Sequence, residues 1–233
     1  MSLSVLMPAF NERDTIRSIV ELVLAQSMVA QVVIVDDGST DGTQDILRSL
    51  RGTDPRLEVI FQSTNQGKGA AVRKAISRAL HPVTIIQDAD LEYTPSDYEK
   101  VIEPILRGSA RVVYGSRVLN RANDYPIDTF RIGSFMVTQW ANLLFSCRLT
   151  DEPTCYKAFD TAFLKSLPLR STGFELCPEL TAWTRRRGEQ IVEVPISYSK
   201  RSIAEGKKIR WVDGVTALTT LTRLRFTPDP SRR

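Results

Sequence analysis

Short apolar runs alternate with helical patterns through the first half of the chain, and this alternation constrains the fold more than any other feature. The runs are too short for helices and rich in β-branched residues, which is typical of strands buried on both faces. Alternating strands and helices build a mostly parallel sheet that is covered by helices on both sides. The sequence therefore predicts a Rossmann-like α/β fold, with strands near residues 4–7, 32–35, 57–61, 83–87 and 111–114.

The connection between the first two runs has the pattern of an amphipathic helix. Its apolar residues recur at i, i+3, i+4 and i+7 and so share one face: Ile16, Ile19, Val20 and Val23. Asn11 and Asp14 precede them at the spacing of a helix cap and the acid three positions further on. We therefore expect Asn11 to cap this helix.

The second half of the chain has longer helical patterns and fewer strands. Helices are predicted near residues 132–145 and 174–187, a β-like segment at 155–159 and a strand at 191–198. After a basic loop at 199–208, every third residue of the last segment is apolar: Val212, Val215, Leu218, Leu221 and Leu224. This C-terminal amphipathic helix can lie on a membrane surface or pack on its own domain, and the pattern favours neither.

The composition is that of an ordinary globular protein, with 42% hydrophobic and 25% charged residues. No apolar stretch approaches the roughly 20 residues that cross a bilayer, and the first apolar run is too short for a signal peptide. Cys147, Cys155 and Cys177 lack metal-ligand spacing, so we expect reduced thiols in a cytoplasmic protein. The sole histidine, His81, lies beside Pro82 at a turn, which argues against histidine-based catalysis.

Charge is distributed unevenly along the chain. Residues 1–184 hold 19 basic and 22 acidic residues, a net of −3, whereas residues 185–233 hold 12 and 5, a net of +7. A basic end favours phosphate groups, either on a ligand or on a membrane surface. Nucleic acid also suits this charge, but no reading motif or aromatic platform accompanies it, so we expect no nucleic-acid partner.

Two acids one residue apart follow the fourth apolar run. Asp88 and Asp90 stand at the expected carboxyl end of a buried strand, which is where open α/β sheets bind ligands. Asp-x-Asp offers the hard oxygen ligands of a divalent cation that also holds a diphosphate, and Glu92 adds a third acid. The alternative is that the pair caps the turn into a helix near Pro95. The three acids together favour the metal.

Two further loops should flank the same crevice, because the strands before them are expected to be parallel to the fourth. They lie at residues 8–12 and 36–42. The pair Asp36 and Asp37 can accept hydrogen bonds from a nucleobase or ribose, although we expect one of the two to serve only the turn. The glycine-rich dinucleotide motif and the Walker lysine motif are missing, so dinucleotide and P-loop functions are not expected.

Five segments together resemble family 2 glycosyltransferases of the GT-A fold: residues 8–12, 35–43, 65–69, 88–92 and 115–117. Three more resemble the branch that contains dolichol-phosphate mannose and glucose synthases: residues 151–157, 174–175 and 193–196. One such motif is weakly specific, whereas this ordered set is strongly specific and extends to about Gly214.

The resemblance implies a role for each matching residue. It assigns the nucleotide to Pro8, Phe10, Asn11, Glu12, Asp36, Asp37, Lys68, Asp88 and Ala89. It assigns Mg²⁺ or Mn²⁺ to Asp88, Asp90 and Glu92, although similar enzymes often carry Gln at the position of Glu92. It assigns the acceptor phosphate to Arg117, Arg131, Arg201 and Lys208, and the catalytic role to Asp90, Arg117 and Arg131.

Glycosyl transfer leaves negative charge on the departing phosphate, which a metal and nearby cations stabilise. A lipid phosphate acceptor is already ionised near neutral pH, so it needs no general base. A hydroxyl acceptor would need an acid to take its proton, and Glu175 and Glu179 are candidates. However, Thr172 and Glu175 have the spacing of a capping box, which explains Glu175 without catalysis.

We therefore expect a metal-dependent inverting enzyme that moves a hexose from GDP-mannose or UDP-glucose to a polyprenyl or dolichyl phosphate. Its GT-A domain would span residues 1–210, with a nucleotide-sugar half at 1–117 and an acceptor half at 118–210, followed by the helix and basic tail at 211–233. We expect a cytoplasmic protein that can lie on the membrane. A soluble hydroxyl acceptor, or a non-catalytic nucleotide-sugar-binding protein, stays open.

Overall fold

A computed structural model describes residues 3–201 and 210–229 of the chain. The strands in these residues are β1 Leu3–Ala9, β2 Val29–Asp36, β3 Leu57–Phe61, β4 Val83–Ile86, β5 Val112–Ser116, β6 Lys157–Asp160 and β7 Ile191–Pro195. The helices are α1 Ile16–Leu24, α2 Thr43–Leu50, α3 Lys68–Arg78, α4 Tyr98–Leu106, α5 Thr129–Phe145, α6 Thr161–Ser166, α7 Leu176–Arg186 and α8 Trp211–Phe226. A 3₁₀ turn, Pro95–Asp97, precedes α4.

All of these strands belong to one sheet with the order β3-β2-β1-β4-β6-β5-β7. β1 lies between β2 and β4 and is parallel to both, and β3 is parallel to β2. The carboxyl ends of the first four strands therefore meet at one edge of the sheet. This arrangement confirms the predicted, mostly parallel α/β sheet.

Helices cover both faces of the sheet, as predicted. On one face α1, α2 and α4 bury their apolar stripes, and on the other α3, α5, α6, α7 and α8 do so. Successive side chains of a strand point to opposite faces. Val5 and Met7 of β1 accordingly belong to the first core and Leu6 to the second.

β6 runs antiparallel between β4 and β5, which the sequence pattern did not predict. Ala158 faces Ile85 of β4 on one side and Val113 of β5 on the other. A four-residue strand has too short a pattern to specify its direction or its neighbours. β7 then extends the sheet parallel to β5, so the end of the chain's last strand also lies at the ligand edge.

The predicted cap of the first helix is wrong. α1 begins at Ile16 with Thr15 at its N-cap. Asn11 has a left-handed φ of 50°, and its Oδ1 accepts a hydrogen bond of 2.9 Å from the backbone N–H of Thr40. A short polar side chain can bond to several backbone groups, and here a tertiary partner replaces the local one. Asn11 therefore joins two loops instead of capping a helix.

The last helix divides its apolar stripe between core and surface. Leu221 and Leu224 are buried in the core that α5 and α7 also form. Val212 and Val215, two turns earlier, are 43% and 49% exposed. The helix therefore packs on its own domain over part of its stripe, and contact of the exposed part with a membrane stays a prediction. Within the described residues, no helix is both long enough and apolar enough to span a bilayer.

Candidate active site

Four loops meet at the carboxyl edge of β1 to β4 and bring together most of the residues predicted for the nucleotide and the metal. They lie at residues 10–12, 37–42, 62–67 and 87–92. Because parallel neighbours end at the same edge, acids that are far apart in the chain become neighbours in space.

Each acid of the Asp-x-Asp pair faces a cation from another segment. The Lys68 ammonium lies 2.7 Å from Asp88 Oδ1 and 2.8 Å from Oδ2. Asp90 Oδ2 lies 3.5 Å from Nη2 of Arg201. Asp90 Oδ1 also accepts a hydrogen bond of 3.1 Å from the Glu92 N–H and so stabilises its own turn, whereas Thr94 is the N-cap of the following 3₁₀ turn.

The environment of Asp90 favours the approach of a cation. Burial, followed by the negative charges of Asp88 and Glu92, raises the pKa of Asp90 to about 7, whereas Arg201 opposes the shift. A buried carboxylate beside like charges is stabilised when positive charge binds. Carboxylate oxygens are also the ligands that Mg²⁺ and Mn²⁺ prefer. These acids therefore fit a divalent cation.

Glu92 is directed toward the segment after β7. Its Oε1 accepts a hydrogen bond of 2.9 Å from the Arg201 backbone N–H, and its Oε2 accepts one of 3.2 Å from the Tyr198 hydroxyl. The Glu92 carbonyl also accepts from the Ser199 N–H at 2.9 Å. In the part of the chain that the structure describes, no three acidic, cysteine or histidine side chains are already arranged as a metal site. A metal-ligand role for Glu92 stays a prediction, and anchoring this segment is its observed role.

Arg201 connects the loop after β1 to Asp90. Its guanidinium donates two hydrogen bonds to Glu12, of 2.9 Å to Oε2 and 3.2 Å to Oε1. Burial would lower the pKa of Arg201, but Glu12 and Asp90 outweigh it and raise that pKa above its ordinary value. The Arg201 guanidinium therefore lies among the acids, where a diphosphate would meet it. Lys208, predicted for the same role, lies outside the described residues.

The two acids after β2 have different roles. Asp37 accepts hydrogen bonds of 2.8 Å from the backbone N–H groups of Gln66 and Gly67, and so holds the loop after β3. Asp36 Oδ2 accepts from the Ser39 N–H at 3.1 Å, while its Oδ1 is buried without a partner among the described residues. A buried oxygen without a partner costs free energy unless a ligand reaches it. Asp36 is therefore the stronger candidate for contact with the nucleoside.

The other residues predicted for the nucleotide lie along the same edge. Pro8 pairs with Val35 inside the sheet, and Ala89 is buried between the two acids of the pair. Phe10 is half-buried, and the Asn11 N–H donates to a side chain of the neighbouring loop at 2.9 Å. Their position agrees with the prediction, and their contacts with a nucleotide stay predictions.

A second cluster surrounds Arg117, just after β5. Its Nε lies 2.7 Å from Asp151 Oδ2 and its Nη2 lies 2.6 Å from Oδ1, a bidentate ion pair. The rings of Tyr125 and Tyr198 each have their centre 5.2 Å from the guanidinium carbon. Burial would lower the pKa of Arg117, but Asp151 outweighs it and raises that pKa well above its ordinary value. Arg117 is thus charged, buried and rigidly held.

Arg131 is a second and more accessible guanidinium in this cluster. Its backbone N–H is bound by Asp128, the N-cap of α5, at 2.8 Å. Its guanidinium lies 5.1 Å from the ring of Tyr125 and donates to the Tyr125 carbonyl. Tyr198, which contacts Arg117, also binds Glu92. Tyr198 therefore connects Arg117 to one of the predicted metal acids, and Tyr125, which packs on Tyr198, extends this connection to Arg131.

Both glutamates considered as bases have structural roles. Glu175 Oε1 accepts hydrogen bonds of 3.1 Å and 3.0 Å from the N–H groups of Thr172 and Gly173. Glu179 is buried and accepts from the N–H of Ser171 at 2.8 Å. Glu175 is itself the N-cap of α7, so the expected capping box is present only in the bond from the Thr172 N–H to Glu175, and both carboxylates stabilise the loop before α7.

Sequence reasoning missed three members of the site: Tyr125, Asp151 and Tyr198. The available signal for Tyr198 was its position three residues after the last strand, at the sheet edge where ligand loops gather. Asp151 lay in a recognised motif, but nothing local pairs it with Arg117. Tyr125 lies in an irregular segment whose sequence carries no periodic signal.

The seven-stranded sheet, with its acids at the carboxyl edge, defines a glycosyltransferase of the GT-A class. The chain belongs to glycosyl transferase family 2, whose model matches residues 4–163, more than half of its length.

Relatives match over almost the whole chain. It is 29% identical over 225 residues to the UDP-N-acetylglucosamine–dolichyl-phosphate N-acetylglucosaminyltransferase of Methanococcus voltae, covering 88% of this chain and 89% of that one. It is 27% identical over 232 residues to the undecaprenyl-phosphate mannosyltransferase of Micrococcus luteus, covering 96% and 93%. The crystal structure of glucosyl-3-phosphoglycerate synthase from Mycobacterium tuberculosis with uridine diphosphate has a TM-score of 0.75 at 19% identity, covering 98% and 82%. This likeness confirms the fold.

Proposed function

We propose that this glycosyltransferase moves a hexosyl group from a nucleotide-diphosphate sugar to a polyprenyl phosphate, with inversion at the anomeric carbon. The observation that carries the proposal is one connected set of contacts, in which Tyr198 joins Glu92 to Arg117 and packs on Tyr125, which in turn lies against Arg131. Carboxylates can bind a divalent cation that carries a diphosphate, and guanidinium groups can bind the phosphate of an acceptor. The names of two relatives, which specify dolichyl and undecaprenyl phosphates, support the acceptor class.

On the donor side, internal cations are already next to the acids. Asp88 and Asp90 would hold Mg²⁺ or Mn²⁺, which when bound neutralises charge on the departing diphosphate. Lys68 and Arg201 then exchange these carboxylates for phosphate oxygens and stabilise the leaving group. Asp36 offers its unpaired oxygen to a donor group of the nucleoside.

On the acceptor side, a phosphate oxygen of the lipid attacks the anomeric carbon as the bond to the nucleoside diphosphate breaks. The attacking oxygen is already ionised, so no side chain has to remove a proton, in agreement with the structural roles of Glu175 and Glu179. Arg131 is the accessible cation for the acceptor phosphate. Arg117, held by Asp151, orients Tyr125, which lies against both arginines.

An apolar surface begins beside these arginines and supports a lipid acceptor. α5 and α8 pack against each other and leave large apolar side chains exposed, which we call the α5/α8 surface: Ile132, Phe135, Met136, Trp140, Leu143, Trp211, Val212 and Val215. The residues on α5 recur at helical spacing and share one face. Exposed apolar groups clustered on two helices are typical of an interaction site. Since Arg131 precedes Ile132, a lipid chain on this surface would bring its phosphate to the acceptor arginines.

A transfer assay tests the proposal and identifies the sugar. Labelled GDP-mannose, UDP-glucose or UDP-N-acetylglucosamine is incubated with the protein, Mn²⁺ and a short polyprenyl phosphate, and the label is followed into the lipid phase. We expect lipid product with one of these donors, lost on chelation and reduced roughly 10³-fold or more in Asp90→Asn. The matched variant Asp45→Asn changes an exposed acid on α2 and should leave the rate unchanged.

Different failures have different meanings. Metal-dependent donor cleavage without lipid product would keep glycosyl transfer and reject the lipid acceptor, and soluble phosphate or hydroxyl acceptors would be tested next. Nucleotide binding without turnover of any donor would reject catalysis and favour a binding protein.

A further inference from the structure

Cys155 and Cys177 lie next to Lys68 around one cavity, and neither is a reacting group in the proposed transfer. Cys155 precedes β6 and Cys177 is the second residue of α7, so the two thiols come from separate segments. Their side chains line one small cavity together with Lys68 and Phe174. Both cysteines are free and only partly buried, so a small oxidant can reach them.

The cavity connects this thiol pair to Lys68. The Lys68 ammonium lies 3.1 Å from Cys155 Sγ and 2.7 Å from Asp88 Oδ1. Burial would lower the pKa of Lys68, but Asp88, followed by the two cysteines, outweighs it and raises that pKa well above its ordinary value. Cys155 is therefore a second partner that holds the ammonium group in place beside Asp88.

Cys177 is the more reactive of the two thiols. The hydrogen bond with Cys155 lowers the pKa of Cys177 against the effect of burial, and Lys157 and Lys68 lower it further. The first turn of a helix also stabilises a thiolate. For Cys147 the effect of burial dominates, and it raises the pKa of that thiol to about 11. One reactive thiol next to a second one is the arrangement in which a disulfide forms.

We propose that Cys155 and Cys177 are an oxidation site, and that their disulfide removes the sulfur partner of Lys68 and slows the transfer reaction. With hydrogen peroxide as oxidant, Cys177 attacks a peroxide oxygen and becomes a sulfenic acid, and one water leaves. Cys155 then attacks the sulfenyl sulfur, the S–S bond forms and a second water leaves. The two thiols lose two electrons, which reduce the peroxide. The disulfide follows from the cavity that the two thiols share, whereas its effect on the rate rests on the proposed function.

The test treats the purified, full-length protein with hydrogen peroxide and maps its disulfides by mass spectrometry. We expect a 155–177 linkage with Cys147 still reduced, a transfer rate reduced roughly tenfold or more because Lys68 is displaced, and recovery with dithiothreitol. The matched variant Cys147→Ser should behave like the unmodified chain. Cys177→Ser should keep its rate through the same treatment.

Two results would overturn the inference. One is folded, peroxide-treated protein without the 155–177 linkage, and the other is a complete linkage that leaves the transfer rate unchanged. If the reduced protein turns over no donor, the proposed function fails separately. The binding of Mn²⁺ with UDP or GDP, measured by calorimetry before and after oxidation, then replaces the rate: weaker binding supports the inference and equal binding rejects it.

Discussion

The proposed donor side, around Asp88 and Asp90, and the proposed acceptor side, around Arg117, hold their charges in different ways. On the donor side, Asp88 and Asp90 pair with cations that arrive from other segments, one of them at 3.5 Å. On the acceptor side, Arg117 is held by a bidentate pair with Asp151 and covered by two tyrosine rings. The donor side is rich in acids with exchangeable partners, and the acceptor side has an arginine with a fixed partner.

This difference corresponds to two tasks. A site for a cation and a diphosphate has to release its internal counter-charges when the ligand arrives. A group that positions an acceptor has to keep its place throughout the reaction. The strength of each pairing can therefore be tested by removing one of its partners.

Asp151→Ala should destabilise the fold by about 3–5 kcal/mol, because it leaves the Arg117 charge buried without its partner. Urea denaturation measures this change in the free energy of unfolding. The control Asp45→Ala removes an ion pair on α2 in which both side chains are more than half exposed, and should cost less than about 1 kcal/mol. Equal losses in the two variants would contradict a rigid acceptor side.

Glu152→Gln should remove a pH dependence of stability. Burial raises the pKa of Glu152 to about 7 from 4.5, against the effect of Lys157. Between these pH values the folded protein keeps a proton that the unfolded chain has released, so the free energy of unfolding falls as pH rises through this window. The loss amounts to roughly 3 kcal/mol. Urea titrations at pH 5 and pH 8 should show a smaller difference for Glu152→Gln; an identical difference would exclude Glu152 as the cause.

Gly67→Ala should separate the loop before α3 from the loop before α7. Gly67 has a φ of +97°, and an added Cβ would lie 2.3 Å from the carbonyl oxygen of Thr172. We expect a loss of about 2 kcal/mol and weaker nucleotide binding. Gly52→Ala is the control, because Gly52 also has a positive φ but has open space around it. If both variants lose the same stability, backbone strain alone explains the effect.

Val215→Ser should change membrane binding while changing stability by less than about 0.5 kcal/mol, because its side chain is half exposed on α8. Leu221→Ala, on the buried turn of the same helix, should instead cost about 2–5 kcal/mol. Co-sedimentation with anionic vesicles and thermal unfolding measure the two effects. Unchanged vesicle binding in Val215→Ser would remove α8 from the proposed lipid surface.

The donor side could be predicted from sequence because its signals are local. An apolar run that ends just before Asp88 indicates both a buried strand and the edge at which its acids lie. The acceptor side was predicted less completely: Arg117 was named, but Asp151 is 34 residues away, and Tyr198 lies beyond two further helices and two strands. No local pattern reports a partner at that separation.

By itself, the sequence determined the strand and helix alternation, the acid-bearing loops at the ligand edge and membership of the glycosyltransferase family. Only the tertiary structure decided that β6 enters the sheet antiparallel, that Asn11 binds Thr40 instead of capping α1, and that α8 is buried on one half of its stripe. The physical reason is the range of the interactions. Periodicity reports the burial of neighbouring residues, whereas strand order, counter-ion choice and helix docking depend on free energies summed over segments that meet only in the folded chain.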